Sequence, residues 1–207
     1  MNYQLAYSIG FHPWEDAETE PGFVEKITDL FSREEAERDP PYGAALDLGC
    51  GSGIWGVQLA KRGWQVTGID NVDKAIVRAH ERAANEGVDM RILKGDVTRL
   101  QESAIGTDFQ LVLDSGTFHD FDEQERLAMG RGVDAIAADD ATVFLLVWPK
   151  RIRPLIRGAS SEEIEEAFPG WEITDIELSG FVLPKLLELL LRPNEHWYRL
   201  RRKRTGN

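Results

Sequence analysis

The sequence predicts an α/β fold in which helices cover both faces of a mostly parallel β-sheet. From Ala44 onward, short and almost continuously apolar segments alternate with segments whose apolar residues recur at helical spacing. Strands of this composition belong to sheets that are buried on both faces. The length of 207 residues suits one domain with a sizeable core, so we expect residues 1–207 to form a single domain.

The elements of the central part follow one another in a regular order. The pattern predicts a strand that ends in a glycine loop, and then repeated helix and strand segments. We predict strands over 45–49, 65–70, 90–96, 109–115 and 141–148, and helices starting at Ile54 and spanning about 72–85 and 122–137.

Both ends of the chain depart from this alternation. Apolar residues at helical spacing predict a helix over 21–37, and the first dozen residues are expected to form an irregular flap. We expect residues 1–40 to cover the site. Near the other end, 160–168 predicts a short acidic helix, and the segments WEITDIELSGF and HWYRLRRK are expected to pair as antiparallel strands.

The charge of the chain disfavours a nucleic-acid partner. The formal net charge is −12, whereas nucleic-acid affinity depends on clustered Lys and Arg that neutralise phosphates. The basic run RLRRKR, residues 199–204, is interpreted as a solvated strand end and tail.

The remaining composition predicts a cytoplasmic protein without a membrane span. Cys50 is the only cysteine, so no intrachain disulfide can form and a reducing compartment is natural. The amino terminus lacks the basic-then-apolar order of a secretory signal. The apolar run FVLPKLLELLL is interrupted by Lys185 and Glu188 and is too short to cross a bilayer.

The stretch ALDLGCGSGIWG, residues 45–56, would let the backbone pass close to a nucleotide-like ligand. Its glycines fit two registers. Gly49, Gly51 and Gly53 give G-x-G-x-G, while Gly51, Gly53 and Gly56 give the G-x-G-x-x-G pattern of a dinucleotide site. The glycines alone therefore leave the ligand open.

The charge beside the loop favours one ligand. Asp47 lies two residues before Gly49, at the predicted tip of the first strand. A carboxylate at this place repels a diphosphate but attracts an ammonium or a sulfonium group. S-adenosylmethionine carries both positive groups and no phosphate, so the sequence favours it as the ligand.

Three further aspartates end the next strands and would form one negative rim with Asp47. Asp70 is placed to accept the ribose hydroxyls, a role that NAD would also need. Asp96 is placed to accept from an adenine amino group, with the N–H of Val97 beside it, and Asp114 ends the fourth strand. For each aspartate alone, a helix N-cap or a turn is the alternative role.

The successive motifs DLGCGSG, GID, GDV and FQLVLDSGTFHDF resemble those of class I S-adenosylmethionine-dependent methyltransferases, over about residues 44–150. The resemblance implies a Rossmann-like three-layer sandwich with a seven-stranded, mostly parallel sheet whose last strand is antiparallel. The short chain and its HPW stretch are also similar to the thiopurine and tellurite-resistance-like small-molecule enzymes. The candidate cofactor-binding residues are Asp47, Gly49, Cys50, Gly51, Gly53, Asp70, Asn71, Asp96, Val97 and Asp114.

Two other functions stay open on the sequence. The first is an NAD(P)-dependent oxidoreductase, which Asp47 and Asp96 disfavour. The second is a non-catalytic module that keeps the cofactor site. For Cys50, a small residue between loop glycines is sufficient explanation. The histidines are scattered singly, without the spacing of metal ligands, so no metal is expected.

The methyl acceptor is expected where the fourth strand delivers the loop SGTFHDF, residues 115–121. His119 and Asp120 are the candidates for a general base, needed only if the acceptor carries a proton of high pKa. Phe118, Phe121, Trp14 and Trp148 are the candidate substrate-binding residues.

The acceptor is expected to be a small, hydrophobic or aromatic molecule methylated at O, N or S. The loop lacks the Asn/Asp-Pro-Pro-aromatic signature of nucleobase amino-methyltransferases, and the chain leaves little room for a domain that recognises proteins. An apolar insert at 181–195 could cover the acceptor pocket, with a core helix or a homodimer surface as alternatives.

Overall fold

The structure is a computed structural model that describes residues 13–150, 157–181 and 195–203. Within these ranges, seven strands form one sheet in the order β3–β2–β1–β4–β5–β7–β6. The strands are β1 (Ala44–Leu48), β2 (Gln65–Asp70), β3 (Met90–Lys94), β4 (Phe109–Asp114), β5 (Ala137–Val147), β6 (Trp171–Leu178) and β7 (His196–Arg202).

Helices lie on both faces of this sheet. They are α1 (Pro21–Ala36), α2 (Ile54–Lys61), α3 (Asp73–Asn85), α4 (Glu123–Ile136) and α5 (Ser161–Ala167), with 3-10 helices at Pro13–Thr19, Val97–Glu102 and Phe118–Asp120. Residues of α1, α2 and α3 share one apolar core with the sheet, and residues of α4, α5 and Val97–Glu102 share the other. The predicted three-layer α/β sandwich is therefore confirmed.

The strand directions also agree with the prediction. Strands β1 to β5 pair in parallel, whereas β7 is antiparallel both to β5 and to β6. The closing pair expected from WEITDIELSGF and HWYRLRRK is thus β6 and β7. Division into a single domain over 1–207 remains a prediction. The flap expected at residues 1–12 and most of the insert at 181–195 lie outside the described residues.

Three local predictions need correction. Strand β5 begins at Ala137 instead of 141, because its first residues include the exposed Asp139 and Asp140, which hide the strand in the sequence pattern. Strand β3 ends at Lys94 instead of 96, because Gly95 still bonds to β2 through the carbonyl of Asp70 but Asp96 already caps the 3-10 helix Val97–Glu102.

The third correction concerns the basic run 199–204, of which residues 199–203 are described. The side chains of Arg199, Arg201 and Arg202 are only 19–25% exposed, so this part of the run is not a solvated strand end. Strand β7 lies inside the sheet, between β5 and β6, so Arg199 and Arg201 meet the acidic end of α1 and bind Glu34 and Glu37.

No helix in the described part of the chain is long and apolar enough to cross a membrane.

Candidate functional site

The candidate site lies where the strand order reverses, between β1 and β4. Strands β2 and β3 continue the sheet on one side of β1, and β5 follows β4 on the other. Ligands of open parallel sheets bind beyond the carboxyl ends of the strands at such a switch point. The glycine loop, residues 49–53, and the loop SGTFHDF both begin there.

The backbone of the glycine loop selects the G-x-G-x-G register. Gly49, Gly51 and Gly53 have φ of 63°, 53° and 77°, in the left-handed region that favours glycine. Gly56 instead lies within α2, where an added Cβ atom would lie 2.4 Å from Cε of Met90 and 3.0 Å from Oδ2 of Asp47. At Gly49 the approach is closest, because a Cβ atom there would lie 2.1 Å from Oγ1 of Thr117.

Asp47 is a buried carboxyl near the end of β1 whose ionised form would have little compensation. Its residue surface is only 1% exposed, and no donor among the described residues satisfies either of its carboxylate oxygens. Burial raises the pKa of Asp47 to about 8, and the charges of Asp114 and Asp70 act in the same direction. The N–H of Gly56 lies near enough to offset part of this shift, although it does not reach hydrogen-bonding geometry.

Asp70 fastens the glycine loop to the end of β2. Its Oδ2 accepts the N–H of Gly51 at 2.9 Å, and its Oδ1 accepts the N–H of Val72 at 2.8 Å. Burial raises the pKa of Asp70, and these hydrogen bonds act against the shift. A carboxylate has about four lone-pair sites, so Asp70 keeps capacity for further donors such as hydroxyls.

Asp114 shapes the turn after β4. Its side chain accepts the N–H groups of Gly116, Thr117 and Phe118 at 2.6–2.9 Å and is fully buried. Burial raises its pKa to about 6, against the effect of the three N–H donors. The geometry gives Asp114 the turn role that was the alternative in the sequence, and it lends no support to a direct contact with the cofactor.

Asp96 likewise forms a local turn. Its exposed carboxylate accepts the N–H and the hydroxyl of Thr98, so that Asp96 is the N-cap of the 3-10 helix Val97–Glu102. Val97 itself is buried. Asn71 is exposed next to Asp70. Cys50 is buried, and burial raises the pKa of its thiol.

The general-base candidates lie on the 3-10 helix Phe118–Asp120. His119 is buried, and its Nδ1 lies 3.4 Å from the carbonyl oxygen of Leu146 near the end of β5. Its Nε2 lies 3.9 Å from Oδ1 of Asp120. Burial lowers the pKa of His119, and the charge of Arg126 lowers it further, while Asp120 acts in the opposite direction.

The aromatic candidates are placed differently from one another. Phe118 is fully buried, with its ring centroid 5.9 Å from that of Phe168, so its position is that of a core residue and gives no support to a role in a pocket wall. Phe121 and Trp148 are half-buried. The side chain of Trp14 lies outside the described part of the structure.

Comparison with known proteins decides the family. The profile of the methyltransferase-domain family matches residues 45–138. An uncharacterised methyltransferase of Schizosaccharomyces pombe is 30% identical over 100 residues, which cover 48% of this chain and 68% of that protein. The chain belongs to the class I S-adenosylmethionine-dependent methyltransferases. The family and cofactor predicted from the motifs are thus confirmed.

Other relatives of this methyltransferase differ in size and in the substrates that their names state. The ribosomal RNA small subunit methyltransferase C of Alcanivorax borkumensis is 37% identical over 78 residues, which are 38% of this chain and 23% of that enzyme. The chain spans about a quarter to a third of the length of the first curated relatives that it matches. Their activities therefore do not transfer directly.

A solved structure shares the whole fold of this methyltransferase. The magnesium protoporphyrin IX methyltransferase of Synechocystis PCC 6803, with bound S-adenosylhomocysteine, superposes with a TM-score of 0.73 at 17% identity. The alignment covers 97% of this chain and 98% of that one. At this identity the likeness concerns the fold alone.

The residues of the methyltransferase fit its family's cofactor on two observations. The first is the partnerless, buried carboxyl of Asp47, which suits a cation and opposes a diphosphate. The second is the glycine loop, where Gly49, Gly51 and Gly53 adopt left-handed φ and carry no side chain that would keep a ligand away. In the described residues, no cluster of His, Cys, Asp and Glu has the arrangement of a metal site.

Sequence reasoning missed Arg126 of this methyltransferase. The residue lies on α4 with its side chain only 5% exposed, beneath the loop that bears His119. A signal was present, because Arg126 falls in register with the buried Met129, Val133 and Ile136 of the same helix. An arginine on an apolar helical stripe indicates a buried polar function, since arginine is rarely buried unless it is paired.

Proposed function

We propose that this protein transfers a methyl group from S-adenosylmethionine to O, N or S of a small, hydrophobic or aromatic molecule. The observation that carries the proposal is the Asp47 carboxyl. It is buried without a partner in the described structure and lies just before the glycine loop, whose glycines have left-handed φ. A cation bound nearby would lower the pKa of Asp47 and stabilise its ionised form, whereas a phosphate group would raise that pKa further.

Named residues would hold the cofactor. Asp47 would stabilise the positive charge of the methionine part. The backbone around Gly49 and Gly51 would lie against it, and Asp70, which already fixes the loop, would accept the ribose hydroxyls. When bound, S-adenosylmethionine supplies a methyl group that its sulfonium charge has already activated. The protein then chiefly positions the acceptor and keeps water out.

His119 is the proposed proton acceptor. A carbonyl oxygen can only accept, so the contact with Leu146 assigns the proton of a neutral imidazole to Nδ1 and leaves the lone pair on Nε2. The lowered pKa keeps this ring neutral at pH 7. Asp120, 3.9 Å from Nε2, would stabilise the imidazolium that forms when an acceptor loses its proton.

The charge of the chain supports a small acceptor over a nucleic acid. A net charge of −12 opposes the approach of RNA, and the arginines of β7 already bind Glu34, Glu37 and Asp134 within the protein. Ribosomal RNA, which the name of the Alcanivorax borkumensis relative states as its substrate, is therefore the alternative acceptor that the experiment must test. We also propose a reducing, cytoplasmic location, in keeping with the single buried cysteine. A homodimer remains a prediction.

The decisive experiment has two stages. Calorimetric titration with S-adenosylhomocysteine and with NADH tests the cofactor, and we expect heat only from the former. Radiolabelled S-adenosylmethionine is then mixed with phenols, thiols, heterocyclic amines and, separately, 16S ribosomal RNA. Label on a small molecule supports the proposal, and label on RNA alone refutes the acceptor class. Cofactor binding with no transfer to any compound would favour the non-catalytic module.

A further inference from the structure

Arg126 of α4 binds backbone carbonyls from two loops at once. Its Nε donates to the carbonyl of Phe118 at 3.3 Å, and its Nη2 donates to the carbonyl of His119 at 3.2 Å. The same Nη2 donates to the carbonyl of Gly158 at 2.5 Å. One guanidinium therefore joins the 3-10 helix Phe118–Asp120, which carries the general-base candidates, to Gly158, which follows β5 in the chain.

The remaining contacts of Arg126 fix the orientation of its planar guanidinium group. Nη1 forms an ion pair with Oε1 of Glu163 at 3.0 Å, and Glu163 in turn belongs to the capping box at the start of α5. The guanidinium carbon lies 5.4 Å from the centroid of the Phe118 ring. A planar group with five donors can satisfy these partners together, which a lysine ammonium cannot do in the same geometry.

We infer that Arg126 is a positioning residue for methyl transfer. It holds the Phe118–Asp120 turn against Gly158, beside the end of β5, so that His119 faces the acceptor. The inference rests on the proposed function of that loop. Arg126 touches the carbonyls of the turn and not the reacting groups, so it acts through His119 and Asp120. Its charge also favours the neutral imidazole of His119.

If Arg126 had only a structural role, replacing it should lower kcat no more than replacing a comparable arginine elsewhere. Arg202 provides this matched control. Arg202 of β7 also binds backbone carbonyls, those of Asp134, Ala137 and Ala138, and pairs with the Asp134 carboxylate. Its guanidinium carbon lies 4.7 Å from the ring centroid of Trp171. These contacts lie at the start of β5, at the opposite end of the strand from the candidate site.

The test compares Arg126→Met, Arg126→Lys and Arg202→Met in the full chain. We expect both methionine variants to lower the melting temperature, but only Arg126→Met to lower kcat, by about tenfold to a hundredfold, since a misplacement of about 1 Å can cost about a hundredfold. Affinity for S-adenosylhomocysteine should stay within about twofold of wild type in all three, because none of these residues holds the cofactor.

Nuclear magnetic resonance gives a readout that needs no acceptor. With histidine labelled by nitrogen-15, and the signal assigned through His119→Gln, we expect Arg126→Met to shift the ring resonances of His119 and to raise its titration midpoint. Arg126→Lys keeps the positive charge but loses the planar set of donors. It should therefore retain the titration midpoint of His119 and still lower kcat. If the methionine variant fails to fold, Arg126→Lys still tests the positioning role.

The two possible failures are distinct. Wild-type protein that methylates no acceptor refutes the proposed function. An active wild type whose Arg126 variants keep kcat and leave the His119 resonances in place, or whose Arg202→Met variant loses kcat to the same degree, overturns the positioning role.

Discussion

Asp70 shows how one side chain joins the loop to its ligand. Replacing it by alanine removes the acceptor of the Gly51 N–H as well as the proposed acceptor of the ribose hydroxyls. We expect Asp70→Ala to weaken binding of S-adenosylhomocysteine by about 1–3 kcal/mol, the cost of leaving buried donors unpaired. Calorimetry measures the loss, with Asp73→Ala as control, because exposed Asp73 pairs with Lys94 away from the loop. Equal affinity in both variants would refute the assignment.

His119 is predicted to act on the proton of the acceptor and not on the cofactor. His119→Gln should therefore reduce kcat and leave the affinity for S-adenosylhomocysteine unchanged. Because burial and Arg126 lower its pKa, the acidic limb of kcat against pH should lie below the value of about 6.5 of an unperturbed histidine. An acidic limb that survives unchanged in His119→Gln would assign the titration to another group.

Asp47 couples the stability of the apoprotein to pH. Its pKa is about 8 in the folded protein, against about 4 in an unfolded chain. Between these values the folded state holds a proton that the unfolded state has released. This group therefore makes the protein less stable as the pH rises, by up to about 1.4 kcal/mol for each pH unit.

The test of this coupling is Asp47→Asn, which cannot titrate. Urea unfolding at intervals from about pH 5 to about pH 8 should give a steeper fall of the unfolding free energy for wild type than for the variant. Asp70 and Asp114, the charged neighbours that raise the pKa of Asp47, remain in both proteins, so their own titration contributes to both curves. Parallel curves would show that the buried carboxyl of Asp47 carries no proton in this range.

At the scale of elements, the fold depends on how closely α4 approaches the helix beside it. Gly130 of α4 leaves no room for a side chain, since a Cβ atom would lie 1.9 Å from the carbonyl oxygen of Ala167 at the end of α5. Backbone atoms cannot give way as a flexible side chain can. The glycine therefore sets the distance between the two helices.

Gly130→Ala should consequently destabilise the protein although alanine favours helices. We expect a loss of about 1–3 kcal/mol or more, the usual cost of overpacking. Chemical unfolding measures this loss, and Gln124→Ala, at an exposed position of the same helix, should change stability little. If Gly130→Ala matched Gln124→Ala, the close approach of α4 and α5 would not limit the packing.

At the scale of the whole molecule, one buried carboxylate ties α1 to the sheet. Glu34 is fully buried; its Oε1 accepts from Thr142 and Arg38, both at 2.8 Å, and its Oε2 accepts from Arg199 and Arg201 at 2.8 and 3.2 Å. These partners come from β5, from the residues just after α1 and from β7. Such a network holds elements that are far apart in the chain.

Glu34→Ala should therefore be strongly destabilising. Removing one member of a buried ion-pair network leaves the others without compensation, at a cost of about 3–5 kcal/mol. Glu37→Ala is the matched control, because Glu37 binds Arg199 and Arg201 too but its side chain is 50% exposed. Urea unfolding should show a much smaller loss for Glu37→Ala, and equal losses would contradict the role given to burial.

The order of the elements was predictable because it depends on local patterns. Apolar runs, helical spacing and glycine positions are properties of neighbouring residues, and they predicted β1 to β4 within two residues at each end. Where a strand begins with exposed polar residues, as β5 does at Asp139 and Asp140, the pattern hides its start. The motif order was also enough to predict the family and the cofactor.

Contacts between distant residues were not predictable in this way. The sequence placed Asp47, Asp70, Asp96 and Asp114 alike, at the ends of four strands. The tertiary structure distinguishes them, since both oxygens of Asp114 and Oδ1 of Asp96 accept from local donors, while those of Asp47 have no donor among the described residues. Burial and hydrogen bonding depend on what the rest of the chain brings to each carboxylate.

The sequence by itself therefore determined the fold class, the glycine loop and the preference for a cationic ligand, because each follows from residue types at fixed spacing. Only the tertiary structure decided which aspartate is left uncompensated, that Phe118 belongs to the core, and that Arg126 joins two loops. The physical reason is that solvation and electrostatic energies are set by neighbours in space, and these neighbours come from segments far apart in the chain.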